Sequence, residues 1–247
     1  MGHAPYLPFA MGAVSRETLE ALARELQLPA GAAEQVVRLL EALAAEPDPH
    51  TTVSDPSRAL DVHVRDSLAA LEVPAVRTAH RLVDIGAGAG FPGLPLAIAL
   101  PDVQVDLVES ASRKAAVIER LAEAATIANA RAIHARVEEW ARSDGAAAYD
   151  VATARAVAPL AVLVEYASPL LRVGGTFVAW KAQPEASEEE AGANAAAQLG
   201  LERLGPLPVT PFEGARGLSL YLYSKVKETP SQFPRRPGMA SKRPLDA

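Results

Sequence analysis

Residues 81–93 read Arg-Leu-Val-Asp-Ile-Gly-Ala-Gly-Ala-Gly-Phe-Pro-Gly, a short apolar strand running directly into glycine. A second apolar strand closes on Glu109, 23 positions after Gly86. A strand over Leu82–Ile85 brings the chain to the carboxyl edge of a sheet. Gly86, Gly88 and Gly90 then let the backbone turn with positive φ and approach a ligand with no Cβ in the way. An acid ending the next strand can accept hydrogen bonds from both hydroxyls of a ribose. The stretch therefore reads as a nucleoside-cofactor site in an α/β domain.

Two glycine patterns overlap. Gly86, Gly88 and Gly90 alternate, whereas Gly88, Gly90 and Gly93 also satisfy the dinucleotide spacing, which keeps an NAD-dependent oxidoreductase open as a rival reading. Two details count against that rival. Gly88 lies three residues past the strand end, and Phe91 and Pro92 stand where a helix N-terminus would present amides to a pyrophosphate; Pro92 has none to present. A wide glycine loop without an anion site suits a cofactor lacking phosphates, such as S-adenosylmethionine. Asp84 fits this reading, since its carboxylate can hold loop amides or, through water, a cationic methionine end.

Outward from the loop, strands are expected at Leu82–Ile85, Val103–Glu109, Ala130–His134, Tyr149–Ala154 and Thr176–Lys181. Helices are expected near Leu94–Leu100, Ser112–Ala125 (Ser112 as N-cap), Val137–Arg142, Leu160–Leu171 and Glu185–Gln198. Such alternation predicts a parallel sheet with right-handed crossovers and helices on both faces. Leu218–Lys225 alternates as a late strand. Upstream, Ser15 caps a helix through Gln27, a second helix carries Val36, Leu39, Leu40 and Leu43, and a third starts after Ser54 and carries Leu60, Val64, Leu68 and Leu71. Four prolines beyond Thr229 predict a tail without regular structure.

With 49% hydrophobic and 22% charged residues, the 247-residue chain has an ordinary globular composition. It has no cysteine, which excludes disulfides, thiolate metal sites and cysteine nucleophiles. The start lacks a signal-peptide pattern and the longest apolar run, Leu94–Leu100, is too short for a bilayer, so a cytoplasmic location and no membrane partner are expected. The net charge is −6, yet residues 225–247 hold six basic residues against two acids. A basic tail on an acidic body can mark a polyanion contact.

The motifs together resemble the small-subunit rRNA guanine-N7 methyltransferase family, also called glucose-inhibited division protein B. The similarity runs through Asp84–Gly93 with Phe-Pro-Gly-Leu-Pro, Asp55-Pro56, His63-Val-Arg-Asp66-Ser67-Leu68, Arg136-Val-Glu-Glu139, Ala154-Arg155-Ala156-Val157-Ala158, Trp180-Lys181-Ala182 and the tail 229–245. Departures are His50-Thr51-Thr52-Val53 before the Asp-Pro stretch, Arg216-Gly217 where the family has Arg-His, Ala182 for a common glycine, and Glu109 for a frequent aspartate.

The resemblance implies a Rossmann-like, class I S-adenosylmethionine-dependent methyltransferase fold, with a mainly parallel seven-stranded sheet and an antiparallel last strand. The divisions would be a helical extension over 1–78, a methyltransferase domain over 79–228 and a basic tail over 229–247. The implied substrate is N7 of a guanine in 16S rRNA of the small ribosomal subunit, and the enzyme would act as a monomer without metal. Because N7 carries a lone pair and no proton, no general base is needed, and the enzyme's task is positioning. The implied cofactor contacts are Asp84, Gly86, Gly88, Gly90, Phe91, Glu109, Ser110, Ala111, Val137, Glu138 and Arg155. Arg155 and Lys181 are candidate substrate-positioning residues, although Arg155 can instead form an ion pair with Asp84 or Glu138. RNA contacts are expected from His63, Lys181, Arg216, Arg235, Arg236, Lys242 and Arg243, with Phe233 available to stack on a base. Trp140 and Tyr166 read as core. A third possibility is a non-catalytic ribosome-binding module that retains the fold.

Overall fold

A computed structural model describes residues 14–49, 51, 53 and 55–245. Seven strands form one sheet: β1 Arg81–Ile85, β2 Gln104–Glu109, β3 Ala130–His134, β4 Tyr149–Arg155, β5 Leu171–Ala182, β6 Leu201–Val209 and β7 Leu218–Lys225. Their order is β3-β2-β1-β4-β5-β7-β6. β1 to β5 pair in parallel, while β7 runs antiparallel to both β5 and β6. The fold is the α/β, class I methyltransferase architecture expected from the sequence. The strand order reverses between β1 and β4, so their carboxyl ends diverge and leave a crevice there, where open α/β sheets bind ligands.

Two apolar layers cover the sheet. On one face, the helices Gly93–Ala99 and Ser112–Ala124 lie on the strands, and the helices Arg16–Glu25 and Ala32–Ala45 pack over them, burying Leu19, Leu22, Leu39, Leu40 and Leu43 in the same cluster as Leu82, Leu96 and Leu107. Arg120, on the helix Ser112–Ala124, reinforces this packing by forking onto Glu46 at 2.8 and 3.0 Å. The opposite face packs the helices Val137–Trp140, Leu160–Ala167 and Ala186–Gln198 over Val83, Ile85, Ala152 and Phe177.

Several expectations are corrected. The third helical segment, 56–72, is not a uniform α-helix: it passes through a π segment, Leu60–Arg65, and a 3-10 segment, Ala69–Glu72. It does start after Ser54, as expected, at Pro56, and Asp55 Oδ1 accepts from Arg58 N–H at 2.8 Å and caps the run. Ala111, not Ser112, is the N-cap of the 112–124 helix. The helix from Leu160 ends at Ala167: Ser168 still has helical dihedrals, but Pro169 has no N–H to continue the ladder. β6 escaped the sequence reading altogether, for it holds Gly205, Pro206 and Pro208. These are tolerated because β6 is an edge strand whose pairing shifts register between Arg203 and Gly205.

The tail is not irregular chain in solvent. It carries a short helix, Met239–Lys242, buries Ala240, and packs Phe233 and Leu245 against the second apolar layer. Prolines interrupt long elements here, but the apolar side chains between them still find a core.

Candidate active site

Next to its carboxyl end β1 carries a fully buried acid. Asp84 Oδ2 accepts from the Gly93 amide at 2.9 Å, and Thr153 Oγ1, beside it in the register of β4, donates to Oδ1 at 3.0 Å. Burial pushes the Asp84 carboxyl up to about 7, against the opposing pull of those two bonds. Asp84 thus holds the first amide of the helix Gly93–Ala99 to the sheet. Glycine is required at 93, where a Cβ would lie 2.5 Å from Leu107 Cδ2 and 3.0 Å from Asp84 Oδ2.

The loop spends its amides internally. Gly86 and Ala87 donate to Val108 O, and Gly90 and Phe91 to Ala87 O. Gly88 donates to Glu109 Oε2 at 3.0 Å, while Glu109 Oε1 accepts from Ala111 N–H at 2.8 Å. With Gly93 committed to Asp84 as well, the loop offers no cluster of free amides for a pyrophosphate. This geometry disfavours the dinucleotide reading of Gly88, Gly90 and Gly93.

A cavity of about 230 Å³ opens at the strand-order reversal. Among the sequence-predicted residues, Gly86, Ser110, Val137 and Glu138 line it, together with Val157 and Ala158 from the segment after β4. A Cβ on Gly86 would stand 2.9 Å from Val157 Cγ2. Tyr166, expected in the core, packs half-buried against the second apolar layer and also lines the cavity, with its hydroxyl 3.0 Å from Ser241 Oγ. Neither Tyr166 nor Ser241 carries a sequence signal for this role, because their meeting spans 75 positions of chain. Trp140 is half-buried against the second core, and its indole N–H donates to Tyr149 OH at 2.8 Å.

Gly90, Phe91 and Arg155 do not line this cavity. Phe91 is buried and stacks on His63 with ring centroids 4.6 Å apart. Arg155 Nη1 donates to Asp66 Oδ2 at 2.7 Å and to Val62 O at 2.9 Å. The ion-pair partner of Arg155 is therefore Asp66 on the third helical segment, not Asp84 or Glu138. Burial lowers the His63 imidazole to about 4, with the Arg155 charge adding to the effect. Its Nε2 meets Thr51 Oγ1 at 2.9 Å, while Nδ1 and the Oδ1 of Asp66 are buried without a partner among the described residues.

A second cavity, about 270 Å³, adjoins this group and is lined by Asp66, Arg155, Ala156, Trp180, Lys181 and Leu218 among others. Trp180 Nε1 donates to Asp66 O at 2.9 Å. Lys181 Nζ bonds Ala158 O at 2.9 Å and Glu188 Oε1 at 2.6 Å. The two cavities share one wall, residues 155–158. Within it Ala156 holds a left-handed φ of +57°, a strained conformation for a residue with a Cβ.

The predicted tail cations divide. Arg235 is forked onto the buried carboxylate of Glu165, through Nε to Oε1 at 2.7 Å and Nη2 to Oε2, and sits over Phe233. Phe233 is thereby part of the packing, half-buried against the second apolar layer. Arg236, Lys242, Arg243 and the more distant Arg216 are exposed. Among the described residues no cluster suited to a metal ion is present, and no helix is long and apolar enough to cross a membrane.

A sequence model of the rRNA small subunit methyltransferase G family matches residues 33–205. Similar curated proteins include ribosomal RNA small subunit methyltransferase G of Rubrobacter xylanophilus, 42% identical over 195 residues, covering 77% of this chain and 75% of that protein. The protein of the same name from Bacillus subtilis is 35% identical over 199 residues, covering 79% and 82%. Among solved structures, a mutant of MtNAS in complex with S-adenosylmethionine is similar in fold, with a TM-score of 0.53 at 14% identity, covering 87% of this chain and 86% of that one.

Proposed function

The chain belongs to the rRNA small subunit methyltransferase G family, and from that premise we propose that it methylates N7 of a guanine in 16S rRNA, using S-adenosylmethionine. The observation that carries the cofactor assignment is the cavity at the strand-order reversal, walled by a glycine loop whose amides are already spent and flanked by the Glu109 carboxylate. Those features fit an adenosyl group without phosphates. S-Adenosylmethionine, when bound, supplies an electrophilic methyl group on a sulfonium.

The chain's own residues position and exclude. Glu109 keeps lone pairs on both oxygens for ribose hydroxyls beyond the two amides it holds. Gly86 leaves room beside Val157, and Val137 and Glu138 bound the adenine end. On the far side of residues 155–158, the cavity lined by Asp66, Arg155, Trp180 and Lys181 is assigned to the acceptor guanine. Arg155 is oriented by Asp66 and Val62 O through Nη1 alone, which leaves Nε and Nη2 for O6 of the guanine or a phosphate. No group in either cavity needs to remove a proton, since N7 has none, so catalysis rests on alignment.

Exposed Arg216, Arg236, Lys242 and Arg243 support a diffuse contact with the RNA backbone. The same reading takes the enzyme as a monomer, and an rRNA substrate supports a cytoplasmic site of action. The test is transfer of labelled methyl from S-adenosylmethionine to 16S rRNA or small subunits, with the product mapped to guanine N7. No transfer to either substrate sinks the proposal, as does label on another atom.

A further inference from the structure

The C-terminal segment lies outside the 33–205 stretch shared with the family model, yet it is bolted to both helices that frame the cofactor cavity. Its origin is pinned by Lys225, whose buried Nζ donates to Ser168 Oγ, Leu199 O and Thr229 Oγ1. Arg142, just past the helix Val137–Trp140, donates to Pro234 O at 2.5 Å. Arg235 grips Glu165 on the helix Leu160–Ala167 and also donates to Arg243 O at 2.8 Å, closing the segment on itself. Two contacts then reach the cavity. The Gly238 amide donates to Glu138 Oε1 at 2.8 Å, leaving Oε2 without a partner among the described residues. Ser241 lines the cavity and meets Tyr166 OH.

We propose that residues 238–243 are part of the cofactor site, forming the outer wall of its adenine end. The Gly238 amide fixes the Glu138 carboxylate so that its other oxygen faces the exocyclic amine of an adenine, and Ser241 closes the cavity against solvent. Gly238 adopts a φ of +78°, which aims its amide at Glu138 and is open without strain only to glycine. The segment thus sets affinity for the adenosyl group, in addition to any contact its exposed cations make with RNA. This rests on the assignment of the cavity to S-adenosylmethionine.

The experiment uses the full chain and S-adenosylhomocysteine as probe, read by calorimetry. Ser241→Trp, which places an indole in the mouth of the cavity, is expected to weaken binding by about tenfold or more. In methyl transfer it is expected to raise KM for S-adenosylmethionine while leaving kcat and KM for RNA unchanged. Independently, in the unmodified chain, the probe is expected to slow amide hydrogen exchange across 238–243. If the unmodified chain binds the probe but Ser241→Trp binds it equally well and exchange over 238–243 is unaltered, the proposal is overturned and the cofactor assignment stands. A rise in KM for RNA alone overturns it too. If the unmodified chain binds no probe, the cofactor assignment falls and takes this proposal with it.

Discussion

Replacing Glu109 by Gln tests the cofactor loop at its most loaded atom pair. The carboxylate holds Gly88 N–H at 3.0 Å and Ala111 N–H at 2.8 Å, and the side chain is buried. Glutamine has one acceptor oxygen, so it keeps one of these bonds and turns an NH2 donor toward the other amide. A hydrogen bond to a charged group contributes about 1.5–3 kcal/mol, and the orphaned amide adds to the loss, so the free protein should be destabilised by about 2–3 kcal/mol. At roughly 2–4 °C per kcal/mol for a chain of this size, Tm should fall by about 4–12 °C. A ribose hydroxyl loses a charged acceptor as well, so Kd for S-adenosylhomocysteine should rise by about 10- to 100-fold. Glu109→Asp keeps the charge and should lie between the two. Differential scanning calorimetry and titration calorimetry read both effects on the same samples. A Glu109→Gln protein that melts within a degree of the unmodified chain and binds within twofold would refute both roles given to the carboxylate.

Four further outcomes are expected. Because the His63 imidazole is lowered to about 4 from 6.5, the unfolded chain binds the proton first, so stability is full above pH 6.5 and falls as pH drops toward 4. The loss is about 3 kcal/mol, and urea titrations at pH 7 and pH 4 should show it in the unmodified chain and not in His63→Gln. Arg155→Ala leaves the Asp66 carboxylate, 13% exposed, without its cation and should cost about 3–5 kcal/mol. Adding Asp66→Asn should recover part of that, and a coupling energy near zero in the double-mutant cycle would discard the pair. In the tail, Arg235→Ala strands Glu165, which is 2% exposed, and should likewise destabilise by about 3–5 kcal/mol. Arg236→Gln, Lys242→Gln and Arg243→Gln should leave Tm nearly unchanged and flatten the salt dependence of RNA binding by about 0.7 in log–log slope per charge removed; an unchanged slope would take these residues out of the RNA interface.

What was legible in the sequence is local. The β1–glycine–Glu109 unit is a contiguous stretch whose conformation follows from strand propensity and positive-φ glycines, and the structure carries φ of +64°, +59° and +97° at Gly86, Gly88 and Gly90. The second wall of the site was not legible. Arg155 meets Asp66 across 89 positions, Arg235 meets Glu165 across 70, and Tyr166 meets Ser241 across 75. Each pair exists because sheet closure brings distant segments together, and neither partner's neighbours announce the other. β6 was obscured for another reason: Gly205, Pro206 and Pro208 argue against a strand unless it is known to lie at an edge, and that depends on the whole sheet order.

The continuity of the first apolar layer has a consequence for how this enzyme can be divided. Leu39 and Leu40, upstream of the sheet, and Leu96 and Leu107, within the cofactor half, occupy one unbroken cluster. Heating should therefore melt the helical extension and the sheet in a single calorimetric transition, with the van't Hoff and calorimetric enthalpies equal. Excising residues 14–78 would not release a smaller catalyst but would uncover the apolar sides of the helices Gly93–Ala99 and Ser112–Ala124, on which those residues pack. A chimera that borrows this cofactor half must therefore take its two leading helices with it.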